Sequence, residues 1–371
     1  MPDPARVLIV DDSRLFRAAL AEALAGQDGV TVAGAVESGA AALEFLRGSA
    51  ADVVTLDVEM PGLDGLQTLE AIRKLTAGRP PAEEVGVIMV SAFTRRGADV
   101  TVRALQAGAF DFVTKPDGPS GEANLAEMRQ QLVARIGLFM ARRPRGPKKG
   151  SGAFPAVEMA PAPFSGRPAP RPARPAKPGR AVLIAASTGG PRALDVLLPD
   201  LCRRVELPVL IVQHMPPQFT RSLADSLAGR AGAAVVEAVD DDPLRPRTVY
   251  IAPGGKHLVL RGEGGRLRTG LNEQPPENHC RPSADVLFRS AAAALEGEAT
   301  AVVLTGMGAD GTAGLGPLKR AGAYVIAQDE ATSVVWGMPG SVVRAGLADE
   351  VLPLGTIAAA VQAAAGRRGA R

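Results

Sequence analysis

Apolar and polar positions along this chain fall into two alternating series, separated by a stretch that follows neither period. In the first series, short apolar runs at 7–10, 53–56, 87–90 and 112–114 read as buried strands. Between them, 14–26, 38–48, 65–76 and 97–107 carry the periodicity of helices. Such alternation predicts a parallel α/β sheet with helices on both faces. A further helical segment, 125–142, closes the series and leads out of it. Residues 143–178 then lose all apolar period. They are rich in Pro, Ala, Arg and Gly, with repeated Arg-Pro and Ala-Pro steps, so an extended, polyproline-prone linker is expected. The alternation resumes with strands at 182–185, 209–212, 248–251, 301–304 and 324–327 and a last helix at 356–366. The expected fold is α/β. Two doubly wound parallel-sheet domains, 1–124 and 179–368, are joined by the exit helix and flexible linker of 125–178.

Composition agrees with two ordinary cores. The 371 residues are 46% hydrophobic and 22% charged, as in a globular chain rather than a disordered one. Aromatics are only 4%, so the cores must be built from Ala, Val and Leu. No apolar run approaches the roughly 20 residues that span a bilayer, and no signal-peptide flanks are present. A cytoplasmic protein without membrane insertion is expected. The net charge of +3 is uneven: residues 141–180 hold ten Lys or Arg against one Glu, leaving the remainder acidic. Without interleaved aromatics, a recognition helix or a helix-turn-helix pattern, that basic run does not indicate nucleic-acid binding. Cys202 and Cys280 are expected to be buried free thiols, and Cys280 lacks an evident neighbouring base. His214, His257 and His279 are too scattered for a zinc site.

Candidate chemistry collects at predicted strand ends, where open parallel sheets hold ligands. Asp11 and Asp12 follow the first strand and Asp57 the strand at 53–56; three converging carboxylates suit a hard cation such as Mg²⁺. Ser91 and Lys115 end the next two strands, adding a hydroxyl and an ammonium to the same edge. Asp57 would then accept a phosphoryl group, with Lys115 and Ser91 binding it. In the second series, Ser187 lies at a strand-to-helix turn, Ala-Ala-Ser-Thr-Gly-Gly-Pro, beside helix amides able to support a nucleophile. Neither GxGxxG nor GxxxxGK[ST] occurs there, so a nucleotide site is weakly supported. His214 follows another strand, and Asp310 lies in a glycine-rich loop after a third. Together they could form a Ser–His–Asp relay: His214 as base, Asp310 fixing its tautomer. That chain order differs from the three common ones, which argues against an ordinary α/β-hydrolase.

The segments LIVDDS, LDVEMPGLDG, MVSAFT and AGAFDFVTKP make the first 120 or so residues resemble a bacterial two-component receiver domain. The resemblance implies a flavodoxin-like fold and phosphorylation of Asp57 by a sensor histidine kinase. It also implies Mg²⁺ bound by Asp12, Asp57 and the main-chain carbonyl of Glu59, with Asp11 nearby, and Phe112 at the aromatic switch position. The segments IAASTGGPRAL, VLIVQHMPPQFT, YIAPGGKHLVL, CRPSADVLF, LTGMGADGTAG and VVWGMPGSVVRAGLADEVLPL resemble the catalytic domain of chemotaxis protein-glutamate methylesterases, a Rossmann-like fold. That resemblance implies Ser187 as nucleophile, His214 as base and Asp310 as its partner, with backbone amides of Thr188 and Met307 as oxyanion donors. It implies hydrolysis of glutamate methyl esters on methyl-accepting chemoreceptors, often with deamidation of glutamines, and no cofactor for the esterase. It further implies that the unmodified receiver covers the cleft. One departure is a cysteine between His279 and Arg281, where many members read His-Arg-Pro-Ser; His279 and His257 are therefore read as structural or substrate-rim residues. Two other readings stay open: a response regulator with a non-catalytic, partner-binding output domain, and a hydrolase of small esters.

Overall fold

The computed structural model describes residues 3–116, 118, 120–143 and 179–366; the predicted linker, from residue 144 to 178, lies outside them. Strands β1 (Ala5–Val10), β2 (Val30–Val36), β3 (Val53–Asp57), β4 (Gly86–Ser91) and β5 (Asp111–Thr114) form one parallel sheet in the order β2-β1-β3-β4-β5. Helices α1 (Arg14–Leu24), α2 (Gly39–Gly48), α3 (Gly65–Leu75), α4 (Arg95–Gln106) and α5 (Gly121–Arg142) connect or flank them. Side chains set where the helices start. Ser13, Ser38, Thr94 and Ser120 each accept a backbone N–H at an N-cap, and Asp64 with Gln67 forms a reciprocal capping box. Helix α5 begins earlier than its periodicity predicts. It buries Met128, Leu132, Ile136 and Phe139, at helical spacing, against Ala5, Val7 and Ile9 of β1.

The second sheet is also wholly parallel. It contains β6 (Ala181–Ala186), β7 (Val209–Gln213), β8 (Ala234–Glu237), β9 (Thr248–Ile251), β12 (Ala299–Val303), β13 (Tyr324–Gln328) and β14 (Glu350–Leu352). Its order is β14-β13-β12-β6-β7-β9-β8. Alternate residues of β6 face opposite layers: Val182, Ile184 and Ala186 join one apolar cluster, Ala181, Leu183 and Ala185 another. Helices α6 (Gly190–Arg204), α7 (Phe219–Ala231) and α11 (Leu354–Ala365) cover the first face. Helices α8 (Ala284–Leu295), α9 (Thr312–Ala321) and α10 (Met338–Arg344) lie on the second. An antiparallel hairpin, β10 (His257–Glu263) and β11 (Arg266–Asn272), stands apart from the sheet. The chain enters at β6, builds outward through β7, and returns to the other side of β6 as β12. The topological switch point therefore lies between β6 and β12, where parallel sheets open a crevice.

Candidate active site

Ser187 and His214 each follow directly on neighbouring central strands. Ala186 pairs in register with Gln213, so the next residue of each strand emerges at the same edge. The His214 N–H donates to Ala186 O at 3.1 Å, and the Gln213 amide donates to the carbonyls of Ser187 and His214, tying the two strand ends. Ser187 N–H reaches across the switch point to Thr305 O at 3.0 Å. Close approach there depends on Gly306, where an added Cβ would lie 2.8 Å from Ser187 Cβ. Gly189, at φ 80°, turns the chain from Ser187 into α6, with Pro191 in the first turn.

Asp310 is buried and meets His214: Nε2 to Oδ2 is 2.7 Å. The carboxylate is also held by a cradle at the start of α8. Ser283 Oγ donates to Oδ1 at 2.6 Å and the Ala284 N–H to Oδ2 at 2.6 Å. The Asp285 N–H and Asn278 Nδ2 add contacts to Oδ1 at 3.2 and 3.0 Å. Burial alone would raise the Asp310 pKa, but the His214 bond and these donors outweigh it and hold the group well below the usual carboxylate range. Burial alone would lower the His214 pKa; the bonds to Asp310 and to Cys280 outweigh it and push it up to about 9. Next to this charge lies a second buried carboxyl, Asp285, whose pKa burial raises; it accepts from Gly314 N–H and Asn278. Asn278, Ser283 and Asp285 are not among the sequence-predicted site residues; Ser283 and Asp285 lie in the CRPSADVLF segment, and Asn278 two residues before it.

Two expectations need correction. Cys280 is half-buried rather than buried, and a base does neighbour it: Sγ lies 3.6 Å from His214 Nδ1. The ring thus gives one nitrogen to Asp310 and the other to a thiol, while Ser187 Oγ makes no hydrogen bond among the described residues. The loop connecting Glu277 to Cys280 explains why sequence distance misled: Asn278 and His279 sit at φ 53° and 60°, and the turn folds Cys280 back onto the base. His257 is structural, its ring buried between Ser283 N–H and Pro275 O, and His279 is exposed. The backbone N–H groups of Thr188 and Met307 donate to no other described residue. The Met307 side chain itself is exposed.

At the edge of the first sheet, Asp11, Asp12 and Asp57 offer carboxylate oxygens that all lie within 4.8 Å of one another. Lys115 Nζ bridges Asp11 Oδ2 at 2.8 Å and Asp57 Oδ2 at 2.9 Å. Burial dominates at Asp57 and, with Asp11 beside it, pushes its pKa up to about 6 despite Lys115 and a bond from the Glu59 backbone. Ser91 Oγ donates to Ala92 O rather than to the acidic group. Phe112 points away from that group, 4.7 Å between ring centroids from Phe219 of α7.

The CheB methylesterase family matches residues 182–361, and the response regulator receiver domain family matches residues 7–125. A protein-glutamate methylesterase/protein-glutamine glutaminase of a Nocardioides species is 45% identical over 94% of this chain and 92% of its own length. The protein-glutamate methylesterase/protein-glutamine glutaminase 2 of Caulobacter vibrioides is 44% identical over 95% of this chain and 96% of its own length. The chain belongs to the CheB methylesterase family. The crystal structure of the Thermotoga maritima CheB methylesterase catalytic domain aligns with 50% of this chain and 98% of its own, at 43% identity and a TM-score of 0.49.

In this family member the receiver rests on the methylesterase domain. Phe112 and Phe93 of the receiver pack on Phe219, and Gln106 Oε1 accepts from Ser226 Oγ at 2.9 Å. Asp111 reaches furthest: its Oδ2 accepts from Thr188 Oγ1, next to Ser187, at 2.8 Å. Arg135 of α5 pairs with the same carboxylate oxygen at 3.4 Å. Val334 and Val335, from the loop before α10, pack into the cluster that holds Phe110 and Ile9. Among the described residues, no helix is long and apolar enough to cross a membrane.

Proposed function

We propose that this protein hydrolyses glutamate methyl esters on chemoreceptors, releasing glutamate and methanol, and deamidates receptor glutamines by the same chemistry. The observation that carries this reading is the 2.7 Å bond between His214 Nε2 and Asp310 Oδ2, with Ser187 and His214 each one residue beyond paired strand ends. Asp310 fixes the tautomer in which Nε2 carries the proton, leaving Nδ1 to take the proton of Ser187 Oγ. Ser187 Oγ attacks the ester carbonyl, and the amides of Thr188 and Met307 stabilise the oxyanion. The imidazolium then protonates departing methanol, and water hydrolyses the acyl-serine by the reverse proton path. In deamidation the leaving group is ammonia.

The receiver is the proposed control element. Asp57 accepts a phosphoryl group from a sensor histidine kinase. Its three carboxylates fit Mg²⁺, a hard ion that prefers oxygen: Asp12 and Asp57 would hold it with Asp11 nearby and Glu59 contributing its main-chain oxygen. When bound, the ion offsets the negative charge crowded around the phosphoryl group. Lys115, already on Asp57, pairs with the phosphate, and Ser91 turns toward it. In the unmodified state Asp111 and Phe112 cover the Ser187 turn and α7, so a bulky receptor helix is kept out; phosphorylation shifts the population to an open arrangement. The test is methanol release from methylated receptor with and without a small phosphodonor. Stimulation in the parent, absent in Asp57→Ala, is expected; full stimulation in Asp57→Ala overturns the control scheme. Methanol release by Ser187→Ala at the parental rate overturns the chemistry.

A further inference from the structure

We infer that Cys280 is a peroxide-reactive thiol, primed by the imidazole of His214, whose oxidation to the sulfenic acid switches the esterase site off. Four observations converge on it. Sγ lies 3.6 Å from His214 Nδ1, the ring nitrogen that Asp310 does not occupy. The thiol is half-buried, so small solutes can reach it. Its position is fixed rather than incidental: Cys280 N–H donates to Glu277 O at 2.9 Å, Glu277 N–H returns to Cys280 O at 3.1 Å, and Glu277 is clamped by Arg289 at 2.6 Å. Finally, the three groups Cys280, His214 and Asp310 repeat at sulfur the nucleophile–base–carboxylate relay that activates thiols elsewhere. The other cysteine, Cys202, provides the contrast: it is buried in α6, without a base, and burial pushes its thiol pKa up.

The step balances without further reagents. In the neutral form of the ring, His214 Nδ1 takes the thiol proton, leaving a thiolate beside an imidazolium. The sulfur attacks one oxygen of hydrogen peroxide, the O–O bond breaks, and the departing hydroxide recovers the proton from the imidazolium to leave as water. Sulfur is oxidised by two electrons and peroxide is reduced to water. The reduced thiol is only a weak donor to Nδ1 at 3.6 Å, whereas the new S–OH group bonds that nitrogen through a stronger O–H donor, so the base Ser187 needs is lost to the esterase until a thiol reductant restores Cys280. The priming rests on geometry alone; only the loss of activity rests on the proposed esterase chemistry.

The experiment uses the full-length protein, dilute hydrogen peroxide and a sulfenic-acid trap, with peptide mass mapping of both cysteines. Cys280 is expected to label at least about tenfold faster than Cys202, and His214→Gln to slow Cys280 by a similar factor. Slow labelling of Cys202 in that variant serves as the check that it is folded. Parent protein should lose methanol release in proportion to Cys280 labelling and regain it with dithiothreitol. Cys280→Ala should keep the same rate before and after peroxide. Equal labelling of the two cysteines, or Cys280 labelling unchanged in His214→Gln, overturns the priming. Undiminished methanol release from protein fully labelled at Cys280 overturns the switch. Because labelling is read by mass, a failed esterase assay leaves the first result intact.

Discussion

The two domains carry a buried aspartate at the carboxyl edge of a parallel sheet, yet their carboxyl groups are tuned in opposite directions. Asp57 is pushed up to about 6 and Asp310 is held far below the carboxylate range. Depth does not separate them, since both are almost fully buried. Donors do. Asp310 accepts from His214, Ser283, Ala284, Asp285 and Asn278, whereas Asp57 has Lys115 and the Glu59 amide and faces the like charge of Asp11. In the proposed roles, the carboxylate that stays ionised to steady an imidazolium is surrounded by N–H and O–H groups, and the one that attacks phosphorus is left under-compensated.

Breaking the second edge should cost most. Ser187→Ala is expected to lower methanol release by about 10⁶-fold, and Asp310→Asn by about 10⁴-fold, on the scale of other serine hydrolases. Purified variants assayed on methylated receptor check both. The pH response sharpens the contrast further. A base must be neutral to act, and His214 carries its proton below about pH 9, so kcat/KM should rise roughly tenfold per pH unit up to that point. At the other edge the sign agrees but the window differs: Asp57 is protonated below about pH 6, so the rate of metal-free phosphodonor uptake should fall as pH drops through that value. The smallest effect lies between the domains. Asp111→Ala removes the bond to Thr188, worth about 1 kcal/mol, and should raise unstimulated esterase activity roughly fivefold. No increase would detach that contact from control.

Much of this was legible in the chain because central strands announce themselves. The runs at 87–90, 182–185 and 301–304 are apolar at every position, as strands covered on both faces must be. Of the edge strands of the two parallel sheets, only β5 is among the predicted apolar runs. β2 reads Val-Thr-Val-Ala-Gly-Ala-Val, with no fully buried residue, and β8 and β14 are short and partly exposed. The hairpin of β10 and β11 ends in Arg and Glu and packs only one face. The strand-end residues Ser187, His214, Asp57 and Lys115 could be read because their positions follow from local pattern. The cradle of Asp310 could not: Asn278 and Ser283 reach it from about thirty residues away, through a turn that depends on left-handed backbone. The same turn hid the pairing of Cys280 with His214. Phe219 and Asp111 were invisible for a related reason, since nothing local to either distinguishes a ring or carboxylate at a domain boundary from one at an ordinary surface.

The contact of Phe112 with Phe219 has a thermodynamic corollary. One ring belongs to the strand bearing the proposed phosphate switch, the other to helix α7 of the methylesterase domain, so in the proposed scheme the two sites are coupled. Linkage makes that influence mutual and equal in magnitude. Under the proposed control scheme, a substrate seated in the cleft would therefore favour the acyl phosphate at equilibrium by the same factor by which the acyl phosphate improves substrate binding.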